Sequence, residues 1–243
     1  MKNESSFRQT LPLFISALVL IFGSAGSAPG QSKNAKKLAD ATQQSQKSSD
    51  VFTEIMNVAD KAIPKNLLDK AEAIAVFPGV IKAGFIVGGR GGRGVISRRT
   101  GNSWSAPAFF NLGGGSIGLQ IGAAKTDFVL LFMNDEALGG LLKDKFEIGG
   151  EGSAAAGPVG RSASASTDAQ LKAGILSYSR SKGAFAGLEI KGVAITPDND
   201  ENLAVYNKKA NEILSSSKKW SMTQMPAGVR IFPRTLARYS TRR

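Results

Sequence analysis

The chain has 243 residues, 42% of them hydrophobic, which is enough to build one substantial core. Its 31 lysines and arginines outnumber 19 acidic residues, and the formal net charge of +12 favours anionic membrane surfaces or phosphate-bearing polymers as partners. Because cysteine and histidine are absent, disulfides, thiolate and imidazole metal sites, cysteine nucleophiles and Ser-His-Asp triads are excluded. These absences remove much of ordinary enzyme chemistry, and we expect a protein that is not an enzyme and has neither a metal nor a cofactor.

Residues 1–28 have the composition of an export signal peptide. Lys2 and Arg8 frame a short polar region, residues 11–22 are apolar, and residues 23–28 include small side chains suited to cleavage. An uncleaved membrane anchor is the alternative, but the apolar run is shorter than the roughly 20 residues needed to span a bilayer. We therefore expect an exported protein that is periplasmic or extracellular.

The next residues, 29–49, are polar and predict a mobile lead-in or a loose helix. Beyond Asp50, an expected N-cap, apolar residues recur at helical spacing: Phe52, Ile55, Met56, Ala59 and Ile63. This spacing predicts an amphipathic helix, which either packs on the core or inserts its apolar face into a membrane. A second short helix is predicted from Pro64, because proline is favoured in the first turn.

From residue 73 onward, short apolar segments alternate with Gly, Pro and Asn, a pattern typical of β-strands. The predicted strands are residues 73–77, 83–87, 94–98, 103–110, 116–123, 128–133, 174–179 and 184–195. Their regular spacing implies an antiparallel meander, and glycines inside strands indicate curvature. Helices are predicted at 134–142 and 202–214. The predicted fold class is α+β, with a curved or barrel-like, mainly antiparallel sheet and flanking N- and C-terminal helices.

A glycine and arginine run between two apolar stretches, KAGFIVGGRGGRGVI at residues 82–96, is the most unusual segment of the chain. We interpret it as two strands that meet at a basic turn. No acidic residue occurs between Glu72 and Asp127, whereas this region carries six cations: Lys82, Arg90, Arg93, Arg98, Arg99 and Lys125. The region is therefore predicted to contact an anion.

Several short motifs match catalytic or nucleotide-binding patterns without the structural context that those patterns need. The G-x-G-x-x-G motifs at residues 89–94 and 113–118 lack a following helix and a distal acidic residue. Ser116 in a G-x-S-x-G motif has no histidine to serve as its base, but hydrolysis by Ser116, or by Ser179 with Lys182, is kept as the enzymatic alternative. Nucleic acid is not an expected partner, because the RGG element is single and the protein is exported.

The C-terminal residues 215–243 are strongly basic. Arg234, Arg238 and Arg242 follow Pro233 at intervals of four, which would place them on one helical face. The segment is predicted to be either a solvated basic tail or an adhesive patch, since each basic group near an anionic bilayer can contribute about 1 kcal/mol.

Six segments, in their order along the chain, resemble the SYLF family of lipid-binding domains. They are AIAVFP at 73–78, KAGFIVGG at 82–89 with G-x-G-V at 92–95, W-S-x-P at 104–107, G-x-S-x-G-x-Q-x-G at 114–122, G-P-x-G-R at 157–161, and S-Y-S-x-S-K-G-x-F-A-G at 177–187. The resemblance spans about residues 63–206. The chain departs from it at Asn207, which follows Tyr206 where the family usually has glycine.

The resemblance implies a non-catalytic module, expected at residues 50–214, that binds anionic lipid head groups. Eukaryotic members bind phosphoinositides and some bind actin. In an exported, bacterial member we expect anionic phospholipid at a membrane surface instead, and no oligomeric state is predicted. The predicted head-group contacts are Lys82, Arg90, Arg93, Arg98, Arg99 and Lys182, and the predicted inserting residues are Phe52, Ile55 and Met56. The alternative is a structural or interaction protein of the cell envelope that binds an acidic polymer or protein.

Overall fold

The structure, a computed structural model, describes residues 29–58, 62–84, 87–117, 122–143, 145–148, 154–160, 173–181, 184–187, 192–215 and 220–240. The signal peptide predicted for residues 1–28 lies outside these ranges. So do Lys182, Arg242 and the middle of the strand predicted for residues 116–123.

The helices of the described part flank the sheet at both ends of the chain. They are α1 (Pro29–Met56), α2 (Lys65–Lys70), α3 (Asp135–Leu141), α4 (Asn199–Tyr206), α5 (Ala210–Ile213) and α6 (Ile231–Tyr239), with 3-10 turns at Met222–Gln224 and Ala227–Arg230. Among these helices, none combines the length and the apolar character needed to cross a bilayer.

The strands form one curved, barrel-like sheet. They are β1 (Ala73–Gly84), β2 (Val87–Thr100), β3 (Ser103–Trp104), β4 (Ala108–Ile117), β5 (Gly122–Phe132), β6 (Phe146–Ile148), β7 (Ala154–Ala156), β8 (Ile175–Ser181), β9 (Ala184–Gly187) and β10 (Val193–Pro197). The order is β6-β10-β4-β2-β1-β5-β8-β7, with β3 beside β2 and β9 beside β8. Among these described pairs only β7–β8 is parallel. The predicted α+β fold is confirmed.

Strands β1 and β5 form the centre of the sheet. Their apolar runs pair antiparallel, from Ala73 opposite Phe132 to Phe77 opposite Phe128, and every residue of both runs is buried. The predicted meander is wrong, because β5 crosses past β2 to pair with β1 instead of with β4. Strands β1 and β5 are apolar on both faces. In the centre of the sheet both faces are covered, whereas at the edge of the sheet they would be exposed to water.

From Val87 onward the glycine and arginine segment is a strand, contrary to the predicted basic turn. Strand β2 runs through it without interruption, and Gly88 already pairs with Gly84 of β1. The register between β1 and β2 shifts between Val76 and Ile81, where β1 bulges. A Cβ atom on Gly94 would lie 2.5 Å from the carbonyl oxygen of Val76. Glycine is therefore required at this position by the close approach of the two backbones.

Helix α1 begins at Pro29 and includes the predicted polar lead-in. Its buried face is built mainly from small residues, Ala41, Ser45, Ser48 and Ser49, before it reaches Phe52 and Ile55. Asp50 is not an N-cap: it lies inside the helix and accepts a hydrogen bond from Gln46 Nε2 at 2.8 Å. Small side chains allow the helix to lie close to the sheet, which is why the segment is ordered despite its polarity.

The segment predicted as a basic tail packs on the core as far as Ser240. Val229, Phe232 and Leu236 are fully buried, whereas Arg234 and Arg238 are exposed on the opposite face of α6. The ring of Tyr239 lies edge-on to Phe52 of α1, with 5.9 Å between centroids. The packed structure therefore continues beyond residue 214, and α6 joins the two ends of the described chain.

The helix predicted for residues 202–214 is divided into α4 and α5 at Asn207. This residue caps α4 with φ 52° and ψ 39°, in the left-handed region. Asparagine is the residue that best tolerates this conformation after glycine, so Asn207 serves where the family usually has glycine. At the other end of α4, Asp198 accepts a hydrogen bond from the backbone N–H of Glu201 and is the N-cap.

Candidate functional site

Arg99 is a structural residue in this fold. Only 4% of it is exposed, and Nε donates to the carbonyl of Ala71 at 2.9 Å while Nη2 donates to that of Leu68 at 2.7 Å. Nη2 also donates to Ser240 Oγ, and the guanidinium carbon lies 4.2 Å from the centroid of the Trp104 ring. These contacts correct the sequence prediction, because a side chain enclosed in this way is not accessible to a lipid head group.

Arg93 and Arg98 hold helices against the sheet. Arg93 pairs with the carboxylate of Glu201, which is 3% exposed, and lies 3.6 Å from that of Asp198. Arg98 Nη2 lies 3.3 Å from Asp135 Oδ1, and Nη1 donates to the Leu214 carbonyl at 3.3 Å. Both cations already have acceptors within the protein, so they are weaker candidates for head-group contacts than the sequence predicts.

Lys82 and Arg90 lie side by side at the end of the sheet where β1 leads into β2. They are register partners on adjacent strands, which places their side chains on the same face. Both are half-buried, and Arg90 Nε is buried without an acceptor among the described residues. Two cations directly opposite each other repel, and a buried N–H without an acceptor is costly. An anion bound beside these two residues would add a charge of opposite sign and further acceptors.

Ile81 and Lys125 form the other face of the same sheet end. They are register partners on β1 and β5, Lys125 is exposed, and 47% of Ile81 is exposed. We call the set Ile81, Lys82, Arg90 and Lys125 the basic rim. Beside it, the exposed glycines 89 and 91 add no side chains that would shield the rim. The rim thus combines three cations with one exposed apolar side chain.

The predicted inserting residues lie in the core. Phe52 and Ile55 are fully buried, and Met56 is partly buried against the same cluster. This corrects the prediction of membrane insertion by this helix face, since insertion would remove Phe52 and Ile55 from the core. Ile81, by contrast, was predicted to lie between two strands and is instead an exposed residue of β1.

Lys182 lies outside the described residues. Its neighbour Ser181 donates a hydrogen bond to the carbonyl of Lys125 at 3.4 Å, so the described end of β8 lies next to the basic rim.

Strand β8 also carries Tyr178, whose hydroxyl donates to the Pro158 carbonyl at 3.2 Å. Burial raises the pKa of Tyr178 and of Tyr206 above the usual phenol value.

The described residues offer no catalytic arrangement around Ser179. Its partners in the sheet are Phe128 and Ala186, and no described lysine or carboxylate forms a hydrogen bond with its hydroxyl. Within the same part of the chain, no cluster of three or more acidic side chains is placed to hold a metal ion. The side chain of Ser116 and the whole of Lys182 are outside the described set.

Comparison with known proteins places these features in a family context. A family model described as "Ysc84: Las17-binding protein actin regulator" matches residues 113–239. "Protein YSC84" of Saccharomyces cerevisiae is 37% identical over 167 residues, which is 66% of this chain and 36% of the yeast protein. "SH3 domain-containing YSC84-like protein 1" of Xenopus laevis is 34% identical over 163 residues, 65% of this chain and 48% of the relative.

The matched region therefore spans between about a third and a half of the curated relatives. Another relative, "LAS seventeen-binding protein 3" of Saccharomyces cerevisiae, is 37% identical over 163 residues, 65% of this chain and 35% of the relative. These names describe binding or regulator proteins rather than enzymes. Because the family model covers more than half of the sequence, the chain belongs to the Ysc84 family, the family of the SYLF domain.

Proposed function

We propose that this protein is a non-catalytic module that binds anionic phospholipid head groups at a membrane surface through the basic rim. The observation that carries the proposal is the buried Nε of Arg90, which has no acceptor among the described residues and lies opposite Lys82. A phosphate oxygen is a strong acceptor for a guanidinium, and its charge would neutralise the repulsion between the two cations.

Ile81 is the apolar element in this proposal and takes the place of Phe52, Ile55 and Met56. It is flanked by Lys82 in the sequence and by Lys125 on the neighbouring strand. A single apolar side chain among cations can enter the boundary between head groups and acyl chains while the cations contact phosphates. Three cations at about 1 kcal/mol each would give weak, salt-sensitive adhesion.

The composition of residues 1–28 favours the periplasmic or outer surface as the place of action. The ligands expected there are phosphatidylglycerol and cardiolipin. Phosphoinositides share the same phosphate chemistry, so a phosphoinositide vesicle is a useful positive probe for the rim even if the native lipid differs.

Vesicle sedimentation tests the proposal directly. The wild-type protein should bind phosphatidylglycerol vesicles, bind phosphatidylcholine vesicles poorly, and lose most binding between low and physiological salt. The double variant K82Q/R90Q should weaken binding to phosphatidylglycerol about thirtyfold, and I81S should weaken it severalfold.

The matched control is R234Q/R238Q, which removes the same charge from exposed positions on α6. Circular dichroism establishes that each variant is folded. If the rim and control variants lose binding equally, the interaction depends on net charge alone and the rim is not the site. Equal recovery of wild-type protein on neutral and anionic vesicles would contradict lipid binding altogether.

The family description supports a second candidate, the binding of an acidic protein surface, with actin as the probe that the description names. Co-sedimentation with actin filaments separates the candidates. Binding to filaments that K82Q/R90Q reduces, without any binding to vesicles, would assign the rim to a protein partner.

A further inference from the structure

A second surface of interest is an open groove of about 1030 Å³ between the N-terminal turns of α1, helix α4 and residues 220–230. We call it the α1–α4 groove. Its volume is at the upper end of the range found for specific ligand sites. The residues that matter for its chemistry are Lys33, Lys37, Asp200, Leu203, Trp220 and Arg230.

Helix α4 buries polar residues and exposes an apolar one, which is the reverse of an ordinary surface helix. It buries Glu201 and Asn202, whereas 41% of Leu203 is exposed and lines the groove. The polar residues are buried because Glu201 pairs with Arg93 and Asn202 bonds to both the N–H and the carbonyl of Phe109 on β4. The helix thus attaches to the sheet through polar groups and presents its leucine to the groove.

The aromatic wall of the groove is held in place by several contacts. Trp220 Nε1 donates to the Ile213 carbonyl at 2.9 Å, and its ring lies edge-on to Tyr206 with 5.6 Å between centroids. Tyr206 stacks on Phe109 at 6.3 Å and donates its hydroxyl to the Pro107 carbonyl at 2.9 Å. A wall fixed in this way needs little reorganisation when a ligand binds.

The side of the groove formed by α1 is held equally closely. A Cβ atom on Gly228 would lie 2.3 Å from Thr42 Oγ1, so the 3-10 turn at Ala227–Arg230 contacts α1 directly. From this turn Arg230 donates Nε to the Met225 carbonyl at 2.8 Å, which fixes the guanidinium and leaves its Nη groups for another acceptor. The groove is therefore formed before any ligand arrives.

The charge of the groove is predominantly positive. Lys33 and Lys37 are one helical turn apart on α1, and together with Arg230 they face a single carboxylate, Asp200. None of the three cations forms an ion pair with a carboxylate in the described part of the chain. The groove therefore offers three cations beside an exposed leucine and an indole.

We propose that the α1–α4 groove binds an acidic peptide segment of another protein. Carboxylates of the peptide would pair with Lys33, Lys37 and Arg230, and an apolar side chain would pack between Leu203 and Trp220. A flat bilayer does not follow a concave groove, and nucleic acid needs a longer basic track without Asp200. This site is separate from the basic rim and does not depend on lipid binding.

The experiment uses fluorescein-labelled peptides of about eight residues that carry four acidic residues and one leucine or phenylalanine, but no tryptophan or tyrosine. Binding to the full chain is followed by anisotropy, and unlabelled peptide is used to follow tryptophan emission. Trp104 is fully buried, so a change in emission that disappears in W220F reports on the groove. Acidic peptides should bind, and analogues with Asn and Gln in place of Asp and Glu should bind at least tenfold more weakly.

The test variant K33E/K37E should weaken peptide binding at least tenfold and leave binding to phosphatidylglycerol vesicles close to that of a matched control. The control is K36E/K47E, which makes the same charge change at exposed positions of α1 outside the groove. Unchanged peptide affinity in K33E/K37E, or an unchanged Trp220 signal with bound peptide, would overturn the proposal. A third result would also overturn it: the wild type binds no peptide, and K33E/K37E loses vesicle binding while K36E/K47E keeps it. In that case the groove would be a lipid site.

Discussion

Arg99 joins three segments that are far apart in the sequence. Its guanidinium donates to carbonyls at the C-terminal end of α2, stacks on Trp104 of β3 and bonds to Ser240 after α6. Carbonyls at a helix C-terminus carry partial negative charge, so they are good acceptors for a buried cation. The planar guanidinium of arginine holds its donors in fixed directions and stacks on an aromatic ring, whereas the donors of lysine all lie on one nitrogen.

The substitution R99K tests this role. Lysine keeps the charge but loses the fork and the stacking on Trp104, so the free energy of unfolding should fall by about 3 kcal/mol. The measurement is the urea midpoint followed by circular dichroism. R238K, at an exposed position on α6, should leave the midpoint unchanged; an equal midpoint for R99K and the wild type would contradict a structural role for Arg99.

Two glycines of strand β2 differ in the space that surrounds them. A Cβ atom on Gly94 would lie 2.3 Å from the Phe77 ring, whereas one on Gly91 would be 3.9 Å from its nearest neighbour, the Leu112 carbonyl oxygen. Both residues lie in the same strand and both have ordinary backbone angles. The two positions therefore differ in the space around them and not in their conformation.

The pair G94A and G91A separates these effects. G94A should lower the free energy of unfolding by about 2 kcal/mol or prevent folding, because backbone and ring must move. G91A should stay within about 0.5 kcal/mol of the wild type. Thermal unfolding of both variants provides the comparison, and a G94A protein as stable as G91A would show that the bulge in β1 has room for a methyl group.

The elements that the sequence predicted well are those with local signals. Pro64 precedes the first turn of α2, Asn134 caps α3 by accepting a hydrogen bond from the N–H of Ala137, and the apolar run at 128–133 lies in the central strand β5. The first part of helix α1 was predicted only as a mobile lead-in or a loose helix, because its buried face uses serine and alanine, which give little hydrophobic periodicity. Residues 94–98 of β2 were predicted as a strand, but the residues before them were interpreted as a turn because glycine usually indicates one.

The site was predicted only in part, for a related reason. The sequence shows which residues are cationic but not which of them have acceptors within the fold. Arg93 pairs with Glu201, which is 108 residues away, and Arg98 bonds to Leu214 across 116 residues. Contacts of this length follow from tertiary packing alone. Lys82 and Arg90 are close in the sequence, but the strands predicted at 83–87 and 94–98 place Arg90 in a turn, so their pairing across β1 and β2 was not predicted either.

At the scale of the whole molecule, two buried phenols link stability to alkaline pH. Burial raises the pKa of Tyr178 and of Tyr206, so the folded state keeps both neutral where the unfolded chain releases their protons. Their contribution to stability is complete below about pH 10, the usual phenol pKa, and is lost as the pH rises further.

The free energy of unfolding should therefore fall above about pH 10, with each tyrosine contributing up to about 1.4 kcal/mol per pH unit. Urea unfolding between pH 8 and about pH 11.5 measures the slope. Y178F should show a shallower fall than the wild type, and because lysine titration is common to both proteins, the difference isolates the phenol. Identical slopes would show that Tyr178 ionises without unfolding.

The bond between Ser240 Oγ and the Leu68 carbonyl spans 172 residues, and α6 packs on α1 across a similar interval. This closure has a consequence for the order of events during synthesis. Helices α1 and α2 are made first, but they cannot complete their packing until the last helix has emerged. Contacts between distant parts of a chain slow folding, and α1 and α2 stay without these contacts until α6 has been made. We therefore expect α6 to dock late in folding, because its docking needs two parts of the described chain that are far apart in the sequence.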